Sequence, residues 1–423
     1  MVGYLTIAGF LLAYCMVANR LSSSIITAPM LFLGFGFLIE RSGMLPPTGT
    51  EATLHLVAEI TLIILLFLDA AQIDQRALLK RNVWPTRMLA IGLPLGFLIG
   101  TAFGWLLLPG WPLAAVALVA AILVPTDAAL GQPVVSNKNV PERSVRAITV
   151  ESGLNDGLAL PLVLLMAAFA APAASAPQEG WLVFGLKQIT LGPLAGAAIG
   201  TLGAVTLLWA KRTNATADIY EGIGAIALAI SAYLAALVIG GNGFIAAFAA
   251  GIGFGAIVRG QCAFVYEFTE SEGQFLSWAA FFLLGATLVP EAIMHLTPAT
   301  LALILASLFI VRPLAIWLSL MGTDAAPATR FFFGWFGPRG LATALFALLV
   351  VDQLDHTLGE EILFIAVNAV WISALLHGLT AAPGAKLYAR AVERMGDVAE
   401  MEPVEHSTVI MRARMGGTKP EEP

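Results

Sequence analysis

The stretch Val124-Pro125-Thr126-Asp127 interrupts an apolar run over residues 113–135. Proline removes a backbone hydrogen bond from a helix, and a carboxylate at mid-bilayer depth is costly. A second stretch, Gly337-Pro338-Arg339-Gly340, interrupts the run over residues 327–351 in the same way, with a charge of opposite sign. A pair of interrupted apolar segments is the sequence signal of broken helices at a transport site.

The composition places the whole chain in a membrane. Of its 423 residues, 58% are hydrophobic and only 12% are charged, whereas a soluble domain carries roughly 25% charged residues. A helix of about 20 apolar residues satisfies its own backbone in lipid. The first apolar run follows Met1 directly, without a basic leader, and we expect it to be a retained helix. Neither a nucleic-acid partner nor a cofactor is expected.

Apolar runs separated by Gly, Pro and charged residues predict an all-α polytopic protein with about thirteen transmembrane helices. We number these spans 1 to 13 in chain order. Residues 1–383 are the predicted membrane domain, and residues 384–423 the predicted cytoplasmic tail. The predicted spans are 3–20, 24–40, 52–71, 86–108, 113–135, 143–171, 183–210, 219–240, 243–259, 273–291, 297–321, 327–351 and 360–382.

The distribution of Lys and Arg predicts the orientation, because cytoplasmic connections are rich in these residues. Most of them follow odd-numbered spans or lie in the tail, and the opposite side holds only Arg41 and Lys187. The amino terminus is therefore expected outside and the carboxyl terminus in the cytoplasm.

The two interruptions lie in spans 5 and 12, seven helices apart. An odd offset makes equivalent helices cross in opposite directions, which predicts an inverted repeat of spans 1–6 against spans 8–13, with span 7 as the linker. The alternative is a pair of ordinary proline kinks with no repeat.

Charged residues inside predicted spans mark function by default, because inserting each costs about 2.5–3.5 kcal/mol. Pairing two bases with four acids leaves at least one carboxylate to bind a cation or a proton. The acids and bases concerned are Asp69, Asp127, Glu151, Asp156, Arg312 and Arg339.

Span 6 contains the segment Glu-Ser-Gly-Leu-Asn-Asp-Gly at 151–157. Residues four apart share a helix face, which groups Ser152 with Asp156 and Glu151 with Asn155. A hydroxyl and a carboxylate one turn apart suit a hard cation. Thr126 and the carbonyls freed by the break in span 5 are candidates for the remaining oxygen ligands.

Asp127 and Arg339 have two possible roles. Each is a candidate for direct participation in an ion site. Each can instead offset the partial charge of an exposed helix end at its break, which is a structural role.

Four segments of the sequence resemble the signature segments of the prokaryotic sodium/proton exchangers of the cation:proton antiporter-1 family. They are Pro-Thr-Asp-Ala at 125–128, Glu-Ser-Gly-Leu-Asn-Asp at 151–156, Arg-Pro at 312–313 and Gly-Pro-Arg-Gly at 337–340. The resemblance runs in order through nearly the whole membrane portion and does not cover the tail. It implies thirteen helices and a core domain of six helices, about spans 4–6 and 11–13, with two crossing broken helices. It also implies a homodimer joined through the other domain, in the inner membrane.

The same resemblance implies roles for individual residues. Asp156 binds a cation and a proton alternately, and Thr126, Asp127 and Ser152 help to coordinate Na+. An Asn at 155, where electrogenic relatives carry a second Asp, implies electroneutral one-for-one exchange of Na+, and of Li+, for H+.

Three assignments stay open at this stage. Glu151 is expected to pair with Arg312, but Arg339 is a competing partner. Asp69 is a candidate for the cation path or a charge at a helix end. His377 is either a pH sensor or a satisfied histidine near the end of span 13.

Other functions fit the sequence less well. K+/H+ exchange uses the same residue types as Na+/H+ exchange, and cavity size decides between them. An intramembrane aspartyl protease would use two aspartates such as Asp127 and Asp156, but its Gly-x-Gly-Asp segment is missing and the deep arginines have no role in that chemistry. A channel or sensor would differ from an exchanger by passing current without coupling to protons.

Overall fold

Helices make up most of the part of the chain that the structure describes, as the apolar runs predict. The structure is a computed structural model and describes residues 2–21, 24–44, 50–72, 83–127, 130, 134, 137, 139–172, 181–259, 261–396 and 398–402. No strand occurs among these residues. Nine of the described helices are long and apolar enough to cross a membrane, and three more apolar helices are shorter. The predicted fold class, an all-α polytopic membrane protein, is confirmed.

The helices follow the predicted spans in order. The largest differences are in span 10, which begins ten residues early, and in span 13, which extends well past its predicted end. The observed bounds are Val2–Leu21, Ala28–Arg41, Thr50–Ala71, Val83–Leu107, Leu113–Leu123, Glu142–Ala170, Trp181–Arg212, Asp218–Val238, Gly243–Val258, Ala263–Met294, Pro298–Ser319, Pro327–Trp335 with Leu341–Val351, and His356–Met395.

Spans 5 and 12 are interrupted where the sequence predicts. The first half of span 5 ends at Leu123, and the second half of the predicted span lies mostly outside the described residues. Span 12 consists of two half-helices, 12a (Pro327–Trp335) and 12b (Leu341–Val351), joined by the non-helical residues 336–340.

Spans 4 and 11 each contain a π-helical segment, at Met88–Gly92 and Ser307–Val311. In each case the next residue donates its backbone N–H five residues back, and a proline follows it. Spans 4 and 11 are seven helices apart, which is the offset of the predicted repeat. The two halves of the chain therefore share a local distortion as well as a broken helix, and π segments occur often at functional sites.

The chain forms two compact units. The larger contains Met1–Leu62, Val83–Gly185 and Leu276–Glu402, and so holds spans 4–6 and 11–13 together with spans 1 and 2, the beginning of span 3 and the second part of span 10. The smaller contains, in its described part, residues 63–72, 186–259 and 261–275, with spans 8 and 9, most of span 7, the end of span 3 and the beginning of span 10. The division into a translocation core and a dimer domain stays a prediction.

Span 13 continues as a helix through Pro383 to Met395, beyond the predicted boundary at residue 383. Ala385, Tyr388, Ala389 and Val392 are buried, and their spacing of three to four residues is that of one helix face. This apolar face stabilises the part of the helix that lies beyond the predicted span 360–382.

The segment after span 13, residues 398–402, packs back onto the larger unit. Glu400 is buried and its Oε1 accepts hydrogen bonds from Ala326 N (2.9 Å) and Thr329 Oγ1 (2.6 Å) at the start of 12a. Arg143 of span 6 donates to the carbonyl oxygen of Ala399 (2.7 Å). This part of the predicted tail is therefore ordered against the membrane domain, while residues 403–423 lie outside the described residues.

Asp324, in the connection between spans 11 and 12, joins span 4 to span 6. Its carboxylate accepts hydrogen bonds from Trp84 Nε1 (2.7 Å) and Arg143 Nη2 (2.7 Å). Burial by itself raises the pKa of Asp324, but these bonds and the Arg143 charge outweigh burial and hold the pKa below its ordinary value of 3.8.

We expect Asp324→Asn to lower the free energy of unfolding at pH 7 by up to about 1 kcal/mol, since the site is half exposed. Because the folded-state pKa is lowered, this contribution is complete above about pH 4 and is lost as the pH falls through the folded-state value. Unfolding of both proteins in detergent at pH 7 and at about pH 3 measures the effect. A stability difference of the same size at both pH values would contradict it.

Candidate functional site

The break in span 5 lies against span 6, and Thr126 is the point of contact. The Thr126 side chain is buried, and its Oγ1 accepts a hydrogen bond from Asn155 Nδ2 (2.6 Å) and donates to Glu151 Oε2 (3.3 Å). Its backbone carbonyl accepts a hydrogen bond from Ser152 Oγ (2.7 Å). Four residues that the sequence analysis selected therefore meet at one place.

Glu151 forms a buried ion pair with Arg312 of span 11. Arg312 Nη1 and Nη2 lie 3.1 and 3.2 Å from the two carboxylate oxygens, and both side chains are at least nine-tenths buried. The two parallel bonds make this a bidentate pair, the strongest geometry that the two groups form. Of the two arginines that the sequence left open, Arg312 is the one in contact with Glu151.

Arg339 instead binds the backbone around the break in span 12. Its guanidinium donates to the carbonyl oxygen of Gly337 (3.0 Å) and to the carbonyl and hydroxyl oxygens of Ser307 (3.3 and 3.2 Å). Gly337 lies two residues beyond the end of 12a, so the positive charge sits beside the negative end of that half-helix. This arrangement corresponds to the structural role considered for Arg339, in which its charge offsets the partial charge of the helix end at the break.

The breaks of spans 5 and 12 contact each other through Asp127. The Asp127 backbone N–H donates to the carbonyl oxygen of Pro338 (2.9 Å), and its Oδ2 accepts from Leu341 N (2.9 Å) at the start of 12b. The carboxylate therefore caps the positive end of 12b from another helix. Gly340 permits this approach, because a Cβ at that position would collide with the Asp127 side chain.

Asp156 lies one helical turn after Ser152 on the same side of span 6 and is half-buried. Ser152 contacts the carbonyl of Thr126, so Asp156 is the next side chain on the stripe that faces the break. Asp69, by contrast, lies near the end of span 3 in the smaller unit. Its part in a cation path stays a prediction.

A small cavity of about 20 Å³ is lined by Glu151, Asn155, Arg312, Arg339 and apolar residues of spans 4, 5 and 11. This volume accommodates about one water molecule, and its polar lining suits one. Within the described residues, no group of three or more His, Cys, Asp or Glu side chains is placed to hold a metal ion.

Ser307 and Ser373 carry no signal that the sequence alone offered. Ser307 binds Arg339, and Ser373 binds the break in span 12 together with His377, which the sequence singled out for a different reason. Two polar residues four apart in an apolar helix, as at 373 and 377, are a pattern that could have indicated this surface.

A membrane bundle in which two interrupted helices meet beside buried polar and charged side chains is the architecture of a secondary transporter. Residues 7–386 match the family model described as sodium/hydrogen exchanger, transmembrane. The chain belongs to this family. The family consists of transporters, so the protease alternative is wrong.

Individual proteins support the same relationship. The chain is 29% identical over 402 residues to the K(+)/H(+) antiporter NhaP2 of Shewanella oneidensis, covering 91% of this chain and 67% of the relative. It is 28% identical over 392 residues to the K(+)/H(+) antiporter NhaP of Alkalimonas amylolytica, covering 90% and 66%. The chain thus spans about two thirds of the length of these curated relatives.

The fold is that of a solved antiporter. The structure of the sodium proton antiporter MjNhaP1 from Methanocaldococcus jannaschii at pH 8 matches with a TM-score of 0.73 and 21% identity, over 94% of this chain and 99% of that one. The sodium/proton antiporter fold predicted from the sequence is confirmed.

Proposed function

We propose that this protein exchanges a monovalent cation for H+ across the membrane by alternating access. The observation that carries the proposal is the meeting of the two broken helices, through Asp127 and Pro338, beside the polar face of span 6 that ends in Asp156. Such a site offers freed backbone and a carboxylate near the bilayer midplane, which is where secondary transporters bind their substrates.

The proposed chemistry is competition for one carboxylate. A proton or a cation neutralises Asp156, and the neutral site then crosses the hydrophobic barrier more easily than an empty, charged one. Ser152, Thr126 and Asp127 are the proposed neighbours that supply further oxygen ligands to the cation. Hydroxyl and carbonyl oxygens favour a hard monovalent ion, and the ion is cargo rather than a resident metal.

Electroneutral one-for-one exchange is the proposed stoichiometry. Position 155 carries an amide, which does not titrate, and its Nδ2 is engaged with Thr126 at 2.6 Å. Asp156 is then the side chain at this place on span 6 whose negative charge is neutralised by either one proton or one cation.

Na+ is the proposed cation, with Li+ as a second substrate. K+ is the competing candidate, favoured by the names of the two antiporters from Shewanella oneidensis and Alkalimonas amylolytica. The name of the structurally similar antiporter from Methanocaldococcus jannaschii favours sodium.

The proposed setting is the inner membrane, with the amino terminus outside and the carboxyl terminus in the cytoplasm, as the Lys and Arg distribution predicts. We propose a homodimer in which the core of spans 4–6 and 11–13 moves against the remaining spans. No cofactor has a role in this mechanism.

Purified protein in liposomes with an imposed pH gradient tests the proposal. We expect added Na+ to dissipate the gradient, and the rate to stay the same when the membrane voltage is clamped at either sign. Li+ and K+, added in separate experiments, rank the cations. No flux with any of the three would overturn the exchange function, and a voltage-dependent rate would overturn the one-for-one stoichiometry.

A further inference from the structure

His377 binds the end of half-helix 12a. The ring is buried in span 13, and its Nε2 lies 2.9 Å from the carbonyl oxygen of Trp335, the last residue of 12a. A carbonyl oxygen only accepts hydrogen bonds, so this contact is a hydrogen bond in the tautomer that carries its hydrogen on Nε2. The imidazole is thereby a second partner of this carbonyl at the end of 12a, which also accepts a hydrogen bond from the Gly337 N–H (2.9 Å).

Ser373, one turn earlier in span 13, binds the other side of the same break. Its Oγ accepts a hydrogen bond from the Arg339 backbone N–H (2.7 Å) and lies 3.0 Å from His377 Nδ1. Nδ1 also lies 3.0 Å from the backbone carbonyl oxygen of Ser373. When the neutral ring carries its hydrogen on Nε2, Nδ1 accepts the hydrogen of the Ser373 hydroxyl. Trp335, His377, Ser373 and Arg339 then form one continuous chain of hydrogen bonds across the break.

The non-helical residues need such partners, because backbone groups left unpaired in the bilayer cost several kcal/mol each. The same short segment carries the Pro338 carbonyl that accepts the Asp127 N–H, and Asp127 follows Thr126 directly. The position of the break in span 12 is therefore tied by this hydrogen bond to the position of the break in span 5.

We propose that His377 and Ser373 are positioning residues for cation exchange. They fix the separation of Trp335 and Arg339 and, through Pro338, the place of the Thr126–Asp127 backbone relative to span 6. Neither side chain touches the cation. This inference rests on the proposed function and adds span 13 to the parts of the protein that set cation affinity.

The test compares Ser373→Ala, Ser373→Thr and His377→Asn with the unaltered protein in liposomes. We expect Ser373→Ala and His377→Asn each to raise the KM for the cation about tenfold, with a change in maximal rate per folded protein of less than about twofold. Ser373→Thr keeps the hydroxyl and should stay within about twofold of the original KM. The double variant should be little worse than either single one, since the two side chains act as one unit.

Asn368→Ala is the matched control for a purely structural effect. Asn368 is equally buried in span 13, but it binds the Ala292 carbonyl (2.6 Å) and the Trp371 indole (2.7 Å) rather than the break. We expect it to lower the melting temperature and leave KM unchanged.

Two outcomes separate the inference from the function on which it rests. If the unaltered protein transports and the variants lower only the melting temperature, as Asn368→Ala does, the positioning role is overturned and the exchange function stands. If the unaltered protein shows no cation-driven proton flux, the function itself is overturned, and the inference with it. Should His377→Asn not fold, the KM of Ser373→Ala decides.

Discussion

Asp156→Asn should reduce cation-driven proton flux to the level of liposomes without protein. The amide occupies nearly the same volume as the carboxylate, but it neither binds a proton near neutral pH nor supplies a negative charge to a cation. Both halves of the exchange cycle are then lost together. The measurement is the collapse of an imposed pH gradient after addition of Na+, Li+ or K+ to liposomes that contain the variant.

Asp218→Asn is the control for this substitution. The Asp218 side chain is 70% exposed and makes one long contact, 3.5 Å, with Lys211, so its variant should transport normally. An Asp156→Asn protein that still dissipated the gradient on addition of Na+ would falsify the assignment of the alternating site to Asp156.

Glu151→Gln should lower the free energy of unfolding by about 3–5 kcal/mol, because it leaves the buried Arg312 charge without its partner. It also weakens the acceptor of the Thr126 hydroxyl, so transport should fall as well. Equilibrium unfolding in mixed detergent micelles measures the stability. Adding Arg312→Met to this variant should recover at least half of the loss, since no uncompensated charge then remains.

The exposed pair of His356 and Glu360 provides the comparison for this prediction. Their side chains are 87% and 51% exposed and lie 3.4 Å apart, and a pair so exposed contributes less than about 1 kcal/mol. Glu360→Gln should therefore change stability little. A loss for Glu151→Gln no larger than that for Glu360→Gln would show that the buried pair is not needed for the fold.

Much of the fold could be predicted, because proline and charge stand out in apolar sequence. Pro125 and Pro338 marked both breaks, and the run lengths gave thirteen spans. The π segments could not be predicted, since Leu93-Pro94 and Arg312-Pro313 have the appearance of ordinary prolines within helices. The continuation of the span 13 helix to Met395 could not be predicted, because the buried face of Ala385 to Val392 depends on neighbours that are distant in sequence.

The part of the candidate site formed by residues close together in the sequence could be predicted. The spacing on one helix grouped Glu151 with Asn155 and Ser152 with Asp156, and the break in span 5 gave Thr126. The partner of Glu151 was not decidable, because Arg312 and Arg339 are both deep arginines next to a proline. Choosing between them requires knowing which face of span 11 meets span 6, and that depends on the π segment.

The π segment of span 11 has a consequence for how this helix divides its contacts. Ser307 and Arg312 are five residues apart, and in a regular α-helix they would point about 140° away from each other. The i to i+5 hydrogen bond instead places them one turn apart, so that one binds Arg339 and the other Glu151. Deleting one residue from this segment would restore regular α-helical geometry. Ser307 and Arg312 could then no longer bind Arg339 and Glu151 at the same time.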